Sequence, residues 1–256
     1  MKIAVLGGSG YIGSKICLKL FTLGHEVTCI SKKIKNISSA ILENCDVIEH
    51  DIDSDISNIN LFEFFNNPDI VIDAAWSNLN DYSSNLHIEV SLKNHLYNIE
   101  NLVNNGLSSL TILGTSAEYG MQEGLLDETM ETYPITNYAI AKDTYRKKVF
   151  ELRDSFKFQL NWVRIFYLYG IGQPRNSIFN QLLDSNNGIF NMSLGDQVRD
   201  YLHIDEVVTY ISRISTFPDE IGLINACSGN PQALKDIVKK WVLTYDLNVE
   251  INLGYY

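Results

Sequence analysis

Short apolar runs alternate with stretches of helical period along most of this chain. The runs Lys2 to Leu6, Glu26 to Ile30, Asp46 to Glu49, Asp69 to Asp73, Leu110 to Leu113 and Asn161 to Ile165 predict strands. Between the first two, Ile12, Ile16, Leu20 and Leu23 recur at three- and four-residue steps, and Gly24 follows as a stop, which predicts a helix. Longer helical stretches are predicted from about Ser84 to Val103 and from Thr136 to Arg153. Strands separated by helices of this length pair in parallel through crossovers, so a doubly wound parallel α/β sheet is expected. After Gly170 the elements shorten and Gly and Asn punctuate them. A main domain over residues 1–168 is therefore expected, with a small region over 169–256 interleaved with its last strand and helix. The chain ends in Leu253-Gly254-Tyr255-Tyr256 with no obvious closing element, so further residues are expected beyond Tyr256 in the natural chain.

Composition narrows the picture. The 256 residues are 45% hydrophobic and 20% charged, enough apolar material for a full core. Acidic residues outnumber basic ones by 31 to 20, and the net charge of -11 disfavours nucleic acid as a partner. The apolar runs fall short of membrane-spanning length, and Met1-Lys2 leads straight into a strand without the apolar stretch of a secretory signal. Cys17, Cys29, Cys45 and Cys227 lack metal-ligand spacing and read as reduced thiols, so no metal and a cytoplasmic location are expected.

The first strand runs into Gly7-Gly8-Ser9-Gly10-Tyr11-Ile12-Gly13, which opens the first helix. Gly7 suits the tight turn, Gly10 a close approach of backbone to pyrophosphate, and Gly13 the packing of helix on strand. The helix N-terminus then offers N–H groups to phosphates. A dinucleotide is the expected cofactor, with Tyr11 and Ile12 in its turn. An NAD site would place an acid at the end of the second strand; this chain has Ser31-Lys32-Lys33 there, which favours the 2′-phosphate of NADP(H) and leaves NAD possible. A solvated basic loop from Lys32 to Lys35 is the alternative. Asp51-Ile52, after the third strand, are placed against the adenine.

Further on stand Thr115, at a strand end, and Tyr138 and Lys142, four residues apart on one helix face. An ammonium beside a phenol is expected to lower its pKa and to reach the nicotinamide ribose, and Thr115 can donate to a reacting oxygen. In the reducing direction Tyr138 would protonate a developing alkoxide during hydride transfer.

On these residues the chain resembles the extended short-chain dehydrogenases/reductases, the NAD-dependent epimerase/dehydratase family, which have a Rossmann fold. The glycines at 7, 10 and 13, the run Thr115 to Gly120, Tyr138 with Lys142, Val163 to Gly170 and Val198 to Asp205 all look like signatures of that family. The resemblance implies Arg199 as a contact to a nucleotide diphosphate, where a surface pair with Asp200 is the alternative. It also implies Ala74, Ala75 and Trp76 near the nicotinamide, Trp76 being otherwise core. Ser116, Ala117, Gln173 and Arg175 are candidate substrate contacts, and a homodimer through the two long helices is implied.

Departures from the pattern carry information too. Asp73 and Trp76 break the usual His-Leu-Ala-Ala, and Tyr167 replaces an asparagine. Family dehydratases carry Asp-Glu after the threonine; here Ser116-Ala117 stand there, and Glu118, one position late, is expected on another face by strand alternation. The cysteine of two-step epimerase-reductases is absent at Ala117. The expected activity is NADPH-dependent reduction of a nucleoside-diphosphate-linked 4-keto-6-deoxyhexose. A 4-epimerase with bound NAD and a non-catalytic NADP-binding sensor are the alternatives.

Overall fold

Ile3 to Leu6 are buried on both faces, as a central strand of a parallel sheet covered by helices must be. The computed structural model describes Met1–Tyr256, with the side chain of Asn36 excepted. Its strands are β1 (Lys2–Leu6), β2 (Glu26–Ser31), β3 (Asp46–Glu49), β4 (Ile70–Asp73), β5 (Ser109–Thr115), β6 (Gln159–Ile165), β7 (Tyr167–Tyr169), β8 (Ile189–Met192), β9 (Val198–Arg199), β10 (Tyr201–His203), β11 (Gly222–Ala226), β12 (Gln232–Ala233) and β13 (Glu250–Leu253). The α-helices are α1 (Tyr11–Thr22), α2 (Ser39–Asn44), α3 (Leu61–Phe64), α4 (Leu92–Asn104), α5 (Asn137–Phe156), α6 (Ile178–Asp184), α7 (Ile204–Ser215) and α8 (Leu234–Thr244).

Among the described residues the main sheet has seven strands in the order β11-β6-β5-β4-β1-β2-β3. Every pairing in it is parallel. This is the doubly wound Rossmann arrangement expected from the alternation of elements. The strand order reverses between β1 and β4, and the crevice beyond the carboxyl ends of these strands is where such sheets bind ligands. Ala4, Leu6, Val71, Leu110, Ile112 and Leu160 from the strands pack against Ile99 and Leu102 of α4 and Tyr145 and Val149 of α5.

The chain divides into two compact units, Met1–Ile165 with Val208–Ala226, and Phe166–Val207 with Cys227–Tyr256. The second unit is held by its own core of Phe179, Leu182, Phe190, Met192, Leu234, Val238 and Trp241. In it β7 pairs with β10 and β8 with β13 in parallel, while β9 and β12 are antiparallel.

The structure departs from the sequence pattern in several places. The tail carries a strand not expected from the sequence, since Glu250 to Leu253 register with Ile189 to Met192. The seventh sheet strand, β11, lies outside the predicted runs; it is the edge strand beside β6, and four of its five residues are only half-buried. Leu23 is not on the buried stripe of α1: the helix ends before it, Gly24 turns back at φ +84°, and Leu23 is 49% exposed. The stretch predicted as one helix from Ser84 opens with a π-helical turn, His87–Ser91, before α4. No helix among the described residues is long and apolar enough to cross a membrane.

Candidate active site

The glycine turn sits at the β1–β4 switch point, and sterics explain its composition. Gly7 adopts φ +73°, and a Cβ there would lie 2.8 Å from the Cα of Ala75. A Cβ on Gly13 would lie 2.2 Å from the Gly7 carbonyl oxygen, so α1 can cross this close to the turn only without a side chain. Gly10 donates its N–H to that same oxygen at 2.9 Å and caps α1, whose first turn carries no acidic residue. A backbone cradle at a helix N-terminus, kept bare of side chains and carboxylates, fits a dinucleotide pyrophosphate. Ala74 and Ala75 follow β4, and the Ala75 N–H donates to Asp73 Oδ1 at 3.1 Å.

At the end of β2 the charges are arranged differently from the simple basic cluster expected. Lys32 Nζ lies 2.9 Å from Asp51 Oδ2 and 3.5 Å from Asp53 Oδ2, and these carboxylates balance its charge. Asp51, expected from the sequence to meet the adenine, has its Oδ2 on Lys32, and Ile52 follows it. The Ser31 side chain is buried and shares a 2.7 Å hydrogen bond with Ser9 Oγ. Lys33 is exposed and continues the basic run.

Thr115 closes β5 and caps a single turn of 3₁₀ helix, Ser116–Tyr119. Its Oγ1 accepts the Ala117 N–H at 3.2 Å, so its own proton is directed elsewhere. The Tyr138 phenol is near enough for the threonine hydroxyl to act on its pKa. Tyr138 lies in the first turn of α5, which Thr136 caps by accepting the Ala139 N–H at 3.2 Å. The Tyr138 N–H donates to the Tyr82 carbonyl, and the two phenol rings stack at 4.9 Å. Lys142, one turn further on, is buried; its Nζ donates to the Leu113 carbonyl at 2.9 Å and lies 4.2 Å above the Trp76 ring.

The phenol is therefore not depressed by a neighbouring ammonium, as the four-residue spacing led one to expect. Burial pushes the Tyr138 pKa up, Tyr82 and Glu118 add to this, and the Thr115 hydroxyl opposes it. The Lys142 ammonium is occupied by a carbonyl and an indole face, and burial brings its pKa down to about 8 against the pull of Asp73 and Glu118.

Glu118 is wholly buried and not an acid of the cleft. Its Oε1 accepts from the Thr115 N–H at 2.9 Å and from Trp162 Nε1 at 3.1 Å, and its Oε2 from Arg164 Nε at 2.7 Å. It turns inward by the geometry of a 3₁₀ turn, where the sequence led one to expect strand alternation to set its face.

A profile of one family, described as the NAD dependent epimerase/dehydratase family, matches residues 3–227. The chain belongs to the NAD dependent epimerase/dehydratase family. It is an oxidoreductase-type enzyme of the extended short-chain dehydrogenase/reductase class. A protein of Aggregatibacter actinomycetemcomitans named dTDP-6-deoxy-L-talose 4-dehydrogenase (NAD(+)) is 24% identical over 254 residues, covering 98% of this chain and 93% of that one. Among solved structures, UDP-N-acetylglucosamine 4-epimerase from Methanobrevibacter ruminantium M1, in complex with UDP-N-acetylmuramic acid, is 22% identical. It superposes with a TM-score of 0.83 over 99% of this chain and 85% of that one. UDP-glucuronic acid 4-epimerase from Bacillus cereus, in complex with UDP-glucuronic acid and NAD, has 21% identity and a TM-score of 0.80, covering 99% and 86%.

Beside Lys142, Asp73 and Trp76 are joined by His87, His95 and Tyr145, which were not among the residues expected at the site. Asp73, fully buried, accepts from His95 Nδ1 and from the Tyr145 hydroxyl, each at 2.9 Å. Trp76 stacks on His95 at 4.6 Å and donates its Nε1–H to His87 Nδ1 at 3.0 Å. His95 and Tyr145 had a detectable signal, polar residues on helix faces otherwise apolar, but nothing local linked them to Asp73.

The remaining candidates belong to the second unit. Arg199 donates to the Val198 carbonyl at 2.7 Å and lies 5.5 Å over the Tyr167 ring, while Asp200 accepts from the Ser228 N–H. Gln173 donates to the Leu168 carbonyl at 2.9 Å, and its Oε1 is buried without a hydrogen-bond partner; Arg175 is exposed.

Proposed function

We propose that this enzyme reduces a nucleoside-diphosphate-linked 4-keto-6-deoxyhexose to its 4-hydroxy sugar. The observation that carries the reading is the Thr115 and Tyr138 hydroxyl pair at the carboxyl end of β5, with Ser116 and Ala117 where dehydration would need acids. The full-length likeness to a protein named for 4-dehydrogenation of a dTDP-6-deoxy sugar supports the same chemistry.

A bound nicotinamide dinucleotide supplies the hydride. The Gly7 to Gly13 turn, with Tyr11 and Ile12, would hold its phosphates; Ala74, Ala75 and Trp76 would flank the nicotinamide and Lys142 its ribose. Thr115 donates its proton towards the phenolic and carbonyl oxygens, and Tyr138, which burial keeps protonated at neutral pH, gives its proton to the oxygen of the sugar. A phenol held protonated starts in the state that reduction needs. Oxidation of the alcohol needs the phenolate and should require more alkaline pH.

The paired Lys32 alters the cofactor reading. A 2′-phosphate at the end of β2 would meet Lys33 and two serine hydroxyls, and also the carboxylates of Asp51 and Asp53. That balance favours NAD(H), with NADP(H) as the competitor to be measured. It also favours, as second reading, a 4-epimerase that retains NAD. The same proposal assigns the second unit to substrate, with Arg199 on the diphosphate and Gln173 and Arg175 on the sugar nucleotide, and has the enzyme work as a cytoplasmic homodimer through α4 and α5.

The test is incubation with NADH or NADPH and a panel of thymidine-, cytidine-, guanosine- and uridine-diphosphate 4-keto sugars, following the absorbance of the reduced nicotinamide. Stoichiometric consumption is expected. Interconversion of 4-epimers without net consumption would replace the reductase by the epimerase, and inertness towards all sugars with cofactor still bound would leave a sensor.

A further inference from the structure

An ammonium taken wholly out of water costs several kcal/mol unless charges and hydrogen bonds replace its hydration. Lys142 makes one hydrogen bond to a neutral carbonyl, lies on the Trp76 ring, and is drawn by two carboxylates, Asp73 and Glu118. Glu118 is already engaged by the Arg164 guanidinium at 2.7 Å, with Arg146 Nε at 3.6 Å. Among the described residues Asp73 has no guanidinium or lysine hydrogen-bonded to it, and its ion-pair partner is the His95 imidazole. It takes the His95 imidazole, the Tyr145 phenol and the Ala75 amide, donors that fix its two oxygens. The carboxylate, the imidazole stacked on the indole and the ammonium over that indole form one continuous buried array.

We propose that Asp73, held by His95 and Tyr145, is a positioning residue that keeps the buried Lys142 side chain charged and in place to grip the dinucleotide. The proposal rests on Lys142 as a ligand of the cofactor, as read above. It gives a reason for a carboxylate at the end of β4, where the family resemblance leads one to expect an apolar side chain.

Burial pushes the Asp73 carboxyl up, yet His95, Lys142 and Tyr145 hold it below its ordinary value, so it is ionised at neutral pH. The charges acting on Lys142 are Asp73 from β4, itself paired with His95 of α4, and Glu118 from the turn after β5, paired with Arg164 of β6; the Tyr145 ring of α5 lies 5.8 Å from the ammonium. Lys142 binds as the cation. Binding therefore weakens as pH rises through its pKa, and loss of the Asp73 charge moves that fall to lower pH.

The experiment titrates the full-length protein with NADH, and separately NADPH, by nicotinamide fluorescence from mildly acidic to alkaline pH, with no sugar present. Asp73→Asn is expected to lower the midpoint of the alkaline fall by about one pH unit. Asp73→Glu, which keeps the charge, should restore most of it; a purely structural role would not be rescued this way. If Asp73→Asn does not fold, Asp73→Leu, which fills the space without a charge, serves in its place. Lys142→Met should abolish the alkaline fall, and Asp73→Asn added to it should shift nothing more. An unchanged midpoint in the folded neutral variant overturns the proposal, even if the wild type reduces a sugar. A shifted midpoint with every sugar inert leaves the positioning role standing and removes the proposed reaction.

Discussion

Glu118 and Asp73 are both fully buried carboxylates at the carboxyl ends of adjacent parallel strands, and both attract Lys142. Their partners differ in kind. Glu118 meets a permanently charged guanidinium, an indole N–H and a backbone amide, which take up both its oxygens and tie β5 to β6. Asp73 meets an imidazole, a phenol and an amide, which orient its oxygens while its charge still acts on the ammonium above Trp76. Equal burial thus yields a clamp in one place and a field in the other.

The largest effect should come from the clamp. Glu118→Ala leaves Arg164 buried without its counter-charge and should cost about 3–5 kcal/mol in urea unfolding; a loss below about 1 kcal/mol would erase the distinction between the two carboxylates. Next is the hydroxyl that neither carboxylate touches directly. Tyr138→Phe should lower turnover by about 10²–10³-fold with cofactor affinity retained, since it removes the proton donor and leaves the cradle intact.

A smaller change separates the carboxylates by pH. Asp73 has a folded pKa below its unfolded one, so it contributes stability above the ordinary carboxylate range near 4, and that contribution is lost as pH falls through the folded value. Asp73→Asn should accordingly flatten the acid side of a stability–pH curve from thermal melts, and an unaltered acid limb would deny Asp73 its charge in the folded protein. The smallest effect lies at the surface: Asp51→Asn frees Lys32 from its nearest carboxylate and should move the NADPH-to-NADH affinity ratio towards NADPH by only a few-fold, because exposed pairs are worth about 0–1 kcal/mol.

The positions of the early strands, the glycine turn and the start of α5 were legible because each depends on its own few residues. Apolar alternation, the absence of a Cβ where two backbones meet, and a threonine cap all act locally. Tyr138 and Lys142 share a helix face for the same reason. Thr115 at the end of β5 needed only the strand to be found.

What those residues do to one another was decided by the folded chain. His95 lies 22 residues from Asp73 and Tyr145 lies 72 from it, and only the packing of α4 and α5 on the sheet joins them. The same packing gave Lys142 a carbonyl and an indole instead of the phenol, balanced Lys32 with Asp51 and Asp53, and paired the tail with β8. Local sterics and periodicity travel with the sequence. Charge and desolvation are set by neighbours from distant parts of the chain, and those neighbours exist only once the layers have closed.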